Sequence, residues 1–218
     1  MGSFFYFRMK YAPMENSDLI SSIRPYFSDL SDNELREFLA ISTLKTYDNK
    51  SVILKSGNMS KKAFLVLKGS VRGFVIDNTG EEKNILLRSK GIFVGDADAL
   101  FSSQPQKLTL VSMDKTTVLM FSIKSFEKLA EEHKGFHKLY LNSLKEAVLR
   151  LTYRVNSLIT MNAEERYHDL LKKNPEFLKD AYDKYVANYL GITAVSFSRM
   201  KKKSKYLSHL TNDNFFDC

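Results

Sequence analysis

Two short hydrophobic runs meet at a glycine in Ala63-Phe-Leu-Val-Leu-Lys-Gly69-Ser-Val-Arg-Gly-Phe-Val-Ile76. Each run is rich in β-branched and aromatic residues and has the length of a strand, with a turn signal between them. Comparable runs lie before and after this pair, at Val52–Leu54, Asn84–Leu87, Lys107–Val111 and Thr117–Phe121. Many short strands at this spacing predict an antiparallel sandwich or barrel over residues 45–123.

Helical patterns flank the β-rich segment. Ser31 and Glu34 have the spacing of a capping box, which predicts a helix from there to about Ser42. After Ser122 the pattern is helical, and a stripe of apolar residues repeats at intervals of three and four, as in a coiled-coil seam. The stripe consists of Leu141, Leu144, Val148, Leu151, Val155 and Leu158. So narrow a stripe favours pairing with a second copy of the chain over packing on its own β-domain, which is the alternative.

The C-terminal third predicts three helices. One should run from Asn162 to Lys173, because Pro175 disfavours a helical residue before it. The next begins near Asp183 and breaks at Gly191, and the third has Thr193 as its N-cap. Two helices around a glycine turn, with a polar outward face on the second, are typical of a helix-turn-helix. The residues expected to face DNA are Thr193, Ser196, Ser198, Arg199, Lys202 and Lys203.

The distribution of charge also favours the C-terminal end as the part that contacts DNA. The formal net charge is +8 and the pI is near 9.3. Residues 199–205 contain five cations and no acid, which predicts contact with phosphates. The inner face of this helix would hold Ile192, Met200 and either Val195 or Phe197. A basic surface helix on a dimeric sensor or interaction module that reads no DNA is the alternative.

Several classes of protein are disfavoured. The single cysteine, Cys218, excludes a disulfide framework or a cysteine-ligated cluster, and the absence of an 18-residue apolar run or a leader pattern predicts a cytoplasmic protein with no membrane partner. A cupin-like β-barrel enzyme would need clustered histidines, but His133, His137, His168 and His209 all lie outside the β segment. No Walker loop, nucleophile elbow or HExxH occurs, so neither catalysis nor a metal site is predicted.

In this order of segments, residues 30–203 resemble the Crp/Fnr family of transcription regulators. The most specific matches are Phe64–Phe74 and Val186–Arg199, and two stretches, Leu170–Glu176 and Tyr189–Thr193, are similar to a Bacteroidetes-type branch. The resemblance implies an α+β fold. An antiparallel, jelly-roll-like β-roll (a double-stranded β-helix) would form a sensor domain over residues 15–135, a dimerisation helix would span 136–161, and a helical, winged helix-turn-helix domain would span 162–218.

The resemblance also implies partners. It predicts a homodimer that reads a palindromic operator in double-stranded DNA, contacts RNA polymerase and responds to a small-molecule effector of unknown identity. Arg199 matches the family's base-reading arginine, whereas Val195 stands where the family commonly has an acid. The chain after Lys205 is short for a two-stranded wing, so the wing is expected to be reduced or absent.

The effector cassette departs from the nucleotide-binding pattern. Gly95-Asp96 stands where nucleotide-binding members have Gly-Glu, and Gln106-Lys107-Leu108-Thr109 replaces the segment with the cassette arginine. Neither lysine nor glutamine reproduces the bidentate guanidinium grip on a phosphate. We therefore expect an effector other than a cyclic nucleotide. A cyclic nucleotide is the alternative. The candidate effector-pocket residues are Gly95, Asp96, Gln106, Lys107 and Leu108.

Overall fold

The structure is a computed structural model that describes residues 16–179 and 182–213, with side chains for 19–179 and 182–204. It begins with α1 (Asn16–Ile23), a 3₁₀ turn, and α2 (Asp32–Ala40). The predicted capping box is present, since the Glu34 N–H donates to Ser31 Oγ at 3.3 Å and the Ser31 N–H donates to the Glu34 carboxylate at 2.7 Å. α2 ends two residues before the predicted limit, because Ser42 already belongs to a strand.

Two four-stranded antiparallel sheets form the predicted β-roll. Their strands are β1 (Ser42–Tyr47), β2 (Val52–Leu54), β3 (Lys62–Lys68), β4 (Val71–Ile76), β5 (Glu82–Arg88), β6 (Phe93–Val94), β7 (Thr109–Ser112) and β8 (Thr116–Ser122). The strand order is β1-β8-β3-β6 in one sheet and β2-β7-β4-β5 in the other. The predicted α+β class and the antiparallel roll are thus confirmed.

The β-roll separates two hydrophobic cores. The inner core, between the sheets, contains Leu54, Phe64, Val66, Val71, Val94, Leu110 and Val118. The outer core packs helices against the other face of the first sheet, and tilted or edge-to-face aromatic rings dominate it: Phe27, Phe38, Phe93, Phe121, Phe126 and Phe136. Strands β3 and β8 of this sheet are therefore covered on both sides, whereas β1 is largely exposed.

The turn between β3 and β4 requires glycine. Gly69 has φ +82°, and a Cβ there would lie 2.5 Å from Asp114 Oδ1. The same carboxylate accepts the Ser70 N–H at 2.8 Å and the Tyr182 hydroxyl at 2.6 Å. Asp114 therefore ties two turns of the β-roll to the start of the C-terminal helices.

Helices account for the rest of the described chain. α3 (Ala97–Phe101) interrupts the β-roll, and α4 (Ile123–Glu132), α5 (Lys134–Thr160), α6 (Ala163–Lys173), α7 (Asp183–Leu190) and α8 (Ala194–Asp213) follow it. α8 remains helical beyond Lys205, so residues 162–179 and 182–213 contain no strand. The winged part of the fold prediction is therefore not found in this stretch, as the shortness of the segment led us to expect; residues 214–218 lie outside the described chain.

α7 docks on the edge strand β5 through paired amides. The Asn84 N–H donates to Asn188 Oδ1 at 2.6 Å, Asn84 Nδ2 donates to the Tyr185 carbonyl at 2.9 Å, and Asn188 Nδ2 donates to the Glu82 carbonyl at 2.8 Å. Arg72 pairs with the Glu82 carboxylate, and its guanidinium lies 4.4 Å from the centre of the Tyr185 ring. The C-terminal helices are thus joined to the β-roll by specific hydrogen bonds as well as by the chain.

Candidate nucleic-acid interface and effector site

A left-handed glycine forms the turn between α7 and α8. Gly191 adopts the left-handed conformation (φ 71°, ψ 34°), and the Ile192 N–H that follows donates to the Ala187 carbonyl at 3.0 Å. Thr193 is the N-cap of α8, since Thr193 Oγ1 accepts the Ser196 N–H at 3.1 Å. The predicted break and N-cap are both confirmed.

Burial decides which residue forms the inner face of α8. Phe197 is fully buried, with its ring 5.5 Å from that of Tyr167, whereas Val195 is 62% exposed. Ile192 and Met200 are partly buried against the same core. The alternative left open by the sequence is therefore resolved in favour of Phe197, and Val195 lies on the outer face.

The outer face of α8 carries the polar residues predicted to meet DNA. All six are exposed: Thr193, Ser196, Ser198, Arg199, Lys202 and Lys203. Among the described residues Arg199 and Lys202 have no hydrogen-bonding or ionic partner, whereas Lys203 Nζ donates to Glu164 at 2.7 Å. The Thr193 hydroxyl donates to the Ser196 hydroxyl at 3.0 Å, so both hydroxyls take part in the N-cap. The arrangement leaves an exposed cation-bearing face at the start of a helix.

The apolar stripe of α5 faces away from the chain's own core. Five of its six members are exposed: Leu141, Val148, Leu151, Val155 and Leu158. The sixth, Leu144, is half-buried beside the β-roll. Packing on the chain's own β-domain, the alternative for this stripe, therefore applies to Leu144 and not to the other five.

Two arginines that the sequence did not single out donate hydrogen bonds to the C-terminal end of α7. The C-terminal carbonyls of a helix lack partners within it and carry partial negative charge. Arg154 of α5 donates to the Tyr189 carbonyl, with its guanidinium 3.9 Å from the Tyr189 ring centre, and Arg166 Nε of α6 donates to the Leu190 carbonyl at 3.0 Å. Burial lowers the pKa of the Arg154 guanidinium. The long helix α5 thereby contacts the C-terminal end of α7 directly.

In the cassette, the carboxylate of Asp96 is committed to the backbone. Asp96 is 4% exposed and accepts three N–H groups, from Ala99 at 3.1 Å, Lys107 at 2.9 Å and Leu108 at 2.7 Å. One bond caps α3 and the other two hold the segment that leads into β7. The side chain of Asp96 is therefore a tie within the fold.

The other cassette residues are also occupied. Gln106 Nε2 donates to the Ser60 carbonyl at 3.1 Å, and Lys107 Nζ pairs at the surface with Asp98 at 3.1 Å. Leu108 is buried, with a methyl 2.8 Å from where a Cβ on Gly73 would lie. Lys107, the cation of this segment, therefore lies at the surface and does not stand in for the missing arginine.

An apolar cavity lies beside the cassette, and sequence reasoning missed it. It has a volume of about 200 Å³ and lies between the outer face of the first sheet and α5. Of the five predicted effector residues, Gly95 is the one that lines it. The residue that stands out is Arg88 at the end of β5, which lines this cavity and a larger cleft of about 790 Å³ reaching α6 and α7. The available signal was a cation directly after the apolar run Ile85–Leu87.

The family model for the cyclic nucleotide-binding domain matches residues 44–133. This match and the relatives that follow confirm the predicted resemblance to the Crp/Fnr family. The chain is 26% identical over 100 residues to the cAMP-activated global transcriptional regulator CRP of Pasteurella multocida, covering 46% of this chain and 48% of the relative. The CRP of Escherichia coli O157:H7 is 24% identical over 101 residues, with the same coverage. The chain thus spans about half the length of the curated relatives it matches.

Solved structures of Crp/Fnr regulators share the fold over most of the chain. The c-di-GMP-responsive global regulator CLP of Xanthomonas campestris superposes with a TM-score of 0.63 at 18% identity, covering 82% of this chain and 93% of CLP. FixK2 of Bradyrhizobium japonicum has the same TM-score and identity, with 82% and 90% covered. CooA of Carboxydothermus hydrogenoformans matches at 0.63 and 16%, with 91% and 87% covered. None of these tests the Bacteroidetes-type branch, which stays a prediction.

No helix among the described residues is long and apolar enough to cross a bilayer. No group of three or more His, Cys, Asp or Glu in the same part of the chain is arranged to hold a metal ion.

Proposed function

We propose that this protein is a homodimeric, sequence-specific DNA-binding transcription regulator of the cytoplasm, without catalytic activity, whose β-roll senses a small molecule. The observation that carries the proposal is the exposed face of α8, where Arg199 and Lys202 stand without partners beyond a capped glycine turn. Such a helix fits the major groove with its first turn at base edges and its later cations at phosphates.

Two residues of α8 are assigned to base reading. The guanidinium of Arg199 suits the O6 and N7 acceptors of guanine. Val195, one turn earlier and 62% exposed, presents methyl groups where family members commonly have an acid. Apolar side chains contact the thymine methyl, so we expect Val195 to favour thymine and the operator to differ from that of relatives with an acid there.

Homodimerisation is supported by the stripe on α5. Five large apolar residues in a row at coiled-coil spacing, all exposed, are removed from water when two α5 helices pair. Pairing would set two copies of α8 about 34 Å apart on one face of DNA, as a palindromic operator requires. RNA polymerase is the further partner expected of such a regulator.

Coupling between sensor and DNA is assigned to the contacts around α7. α5 holds α7 through Arg154, and β5 holds it through Asn84 and Asn188. A ligand that binds one arrangement of α5 more tightly than another would shift the pair of α8 helices.

The proposal is tested by selecting bound sequences from a random DNA library with the purified full chain, at physiological salt. We expect an enriched palindrome. Its affinity should fall with salt at a slope of about −0.9 per phosphate neutralised on a log–log scale. An enriched site without two-fold symmetry would contradict the dimer model.

A dimeric sensor or interaction module that binds no DNA is the competing function. It predicts no enrichment in the selection, whether or not ligands are added, and no salt-dependent affinity for DNA. Since it retains the α5 stripe, it also predicts a dimer in solution, so oligomeric state alone does not separate the two functions.

A further inference from the structure

Arg88 is a partly buried cation with no carboxylate partner among the described residues. Its side chain lies between β5 and α5, and burial lowers the pKa of the guanidinium, with the nearby charge of Arg150 adding to the effect. Its hydrogen bond is to the neighbouring Leu87 carbonyl at 2.8 Å, and no carboxylate of the described residues pairs with it. Charges removed from water in folded proteins are normally paired, so the missing partner of Arg88 calls for an anion.

The surroundings of Arg88 are cationic on one side. The larger cleft is lined by five cations and two carboxylates: Arg88, Arg150, Arg154, Arg166 and Lys173 with Glu146 and Asp169. Both carboxylates already have cations, since Glu146 pairs with Arg150 at 2.8 Å and Asp169 pairs with Lys173 at 2.8 Å. The cleft therefore has an excess of positive charge, and Arg88 stands at the edge of it that meets the apolar cavity.

The surroundings of Arg88 on the other side are apolar. The cavity of about 200 Å³ has a wall made chiefly of aromatic and aliphatic side chains: Leu86, Phe93, Leu100, Phe101, Phe121, Phe126 and Leu144. Its size is below the roughly 300–1,000 Å³ of sites for drug-sized ligands, so it suits a small molecule. Leu86, Arg88 and Ala147 line both spaces, which places the cation where the two adjoin.

We propose that this junction binds a small amphipathic organic acid, with its carboxylate on Arg88 and its apolar part in the cavity lined by Phe93, Phe126 and Leu144. The guanidinium offers two parallel N–H donors to a carboxylate. Neither Asp96 nor Gln106 takes part, because their side chains are bonded to the backbone. The site is separate from the inner core of the β-roll and lies against its outer aromatic core.

The place of Leu144 gives this ligand a regulatory role. Leu144 is both a member of the α5 stripe and part of the cavity wall, and Tyr140, Ser143 and Ala147 of the same helix also line the cavity. A ligand in the cavity contacts one face of α5 while the partner copy contacts the adjacent face. In naming the ligand an effector, this inference rests on the proposed function; ligand binding itself does not.

The test is direct titration of the full chain, without DNA, by calorimetry. The probes are octanoate and 4-phenylbutyrate, each compared with its neutral amide. We expect at least one acid to bind and its amide to bind at least about tenfold more weakly, because the amide loses the charge-assisted contact. Binding of neither acid at millimolar concentration, or equal binding of acid and amide, would overturn the proposal.

Variants locate the site. Arg88→Gln should weaken the acid at least about tenfold and leave the amide unchanged, whereas Leu144→Trp, which fills the cavity, should weaken both. Arg36→Gln, on the exposed face of α2, is the matched control and should bind as wild type does. Unchanged acid binding in Arg88→Gln refutes the site. Because the acid–amide comparison is made on the unmodified chain, misfolding of a variant does not prevent a decision, and failure here leaves the DNA selection unaffected.

Discussion

The segment around Asp96 and the outer face of α8 use their polar groups in opposite ways. In the first, both side chains are buried: the Asp96 carboxylate accepts backbone N–H groups, and Gln106 Nε2 donates to a backbone carbonyl. In the second, Ser198, Arg199 and Lys202 are exposed, and the two cations have no partner in the described chain. Both segments stand where the resemblance predicted functional motifs, but the polar groups of the cassette are bonded within the fold, whereas those of α8 remain available to a partner.

The sharpest difference should appear in stability when Asp96 is removed. Asp96→Ala leaves three backbone N–H groups without an acceptor in a buried position, which we expect to lower the free energy of unfolding by about 3–5 kcal/mol. Urea denaturation measures it. Asp98→Ala is the matched control, since Asp98 pairs with Lys107 at the surface, and it should cost about 1 kcal/mol or less. Equal losses in both variants would mean that Asp96 is not the tie described above.

In the proposed function α8 acts through a dimer, so the next largest effect should follow from breaking the α5 stripe. Val148→Glu puts two carboxylates into one apolar seam, and we expect the dimer to weaken by about 100-fold or more, which is about 3 kcal/mol. Sedimentation over a range of protein concentrations measures this. Leu149→Glu is the control, because Leu149 is as exposed as Val148, at 65% and 63%, but lies off the stripe. A wild-type mass for Val148→Glu would show that α5 does not pair along this seam.

Arg199 separates base reading from phosphate contact. Arg199→Ala should weaken operator binding by about 1–3 kcal/mol and relax the choice at one base pair, while the stability of the chain stays unchanged. Lys202→Ala is the comparison, and should weaken binding uniformly and reduce the salt slope by about 1. Binding assays on the operator and its single-base variants measure both. If Arg199→Ala weakens every sequence equally, Arg199 contacts phosphate only.

The contrast between the two segments also explains what could be predicted from the sequence. Features with local causes were recovered: the capping box at Ser31, the break at Gly191 and the cap at Thr193 depend on neighbours within four residues. Strand β1 was missed because Ser42–Tyr47 is largely polar and its four central residues are exposed, so it lacks the hydrophobic pattern of the other strands.

Roles that depend on distant partners could not be predicted. The bonds of Asp96 to Lys107 and Leu108 span 11 and 12 residues. Whether Arg88 finds a carboxylate depends on how α5 and α6 pack beside β5, and hydrophobic spacing alone did not choose between Val195 and Phe197 as the inner residue of α8. Motif resemblance pointed to the segment with Gly95 and Asp96, but it carried no information on what the side chains of that segment bond to.

The smallest effect concerns the hydrogen bond from Tyr182 to Asp114, which joins the residue before α7 to the β-roll. Burial, aided by the neighbouring carboxylate, raises the pKa of Tyr182 to about 12. Since the folded state favours the neutral phenol, its contribution to stability is complete below the ordinary tyrosine pKa of about 10 and is lost as the pH rises toward 12. We therefore expect the free energy of unfolding to fall more steeply over this range in the wild type than in Tyr182→Phe, which has no proton to lose at this position. Urea denaturation at a series of alkaline pH values gives both slopes. Equal slopes would mean that the phenol of Tyr182 titrates alike in the folded and unfolded chain, and that this contact holds α7 to the β-roll no more firmly than water would hold the same hydroxyl.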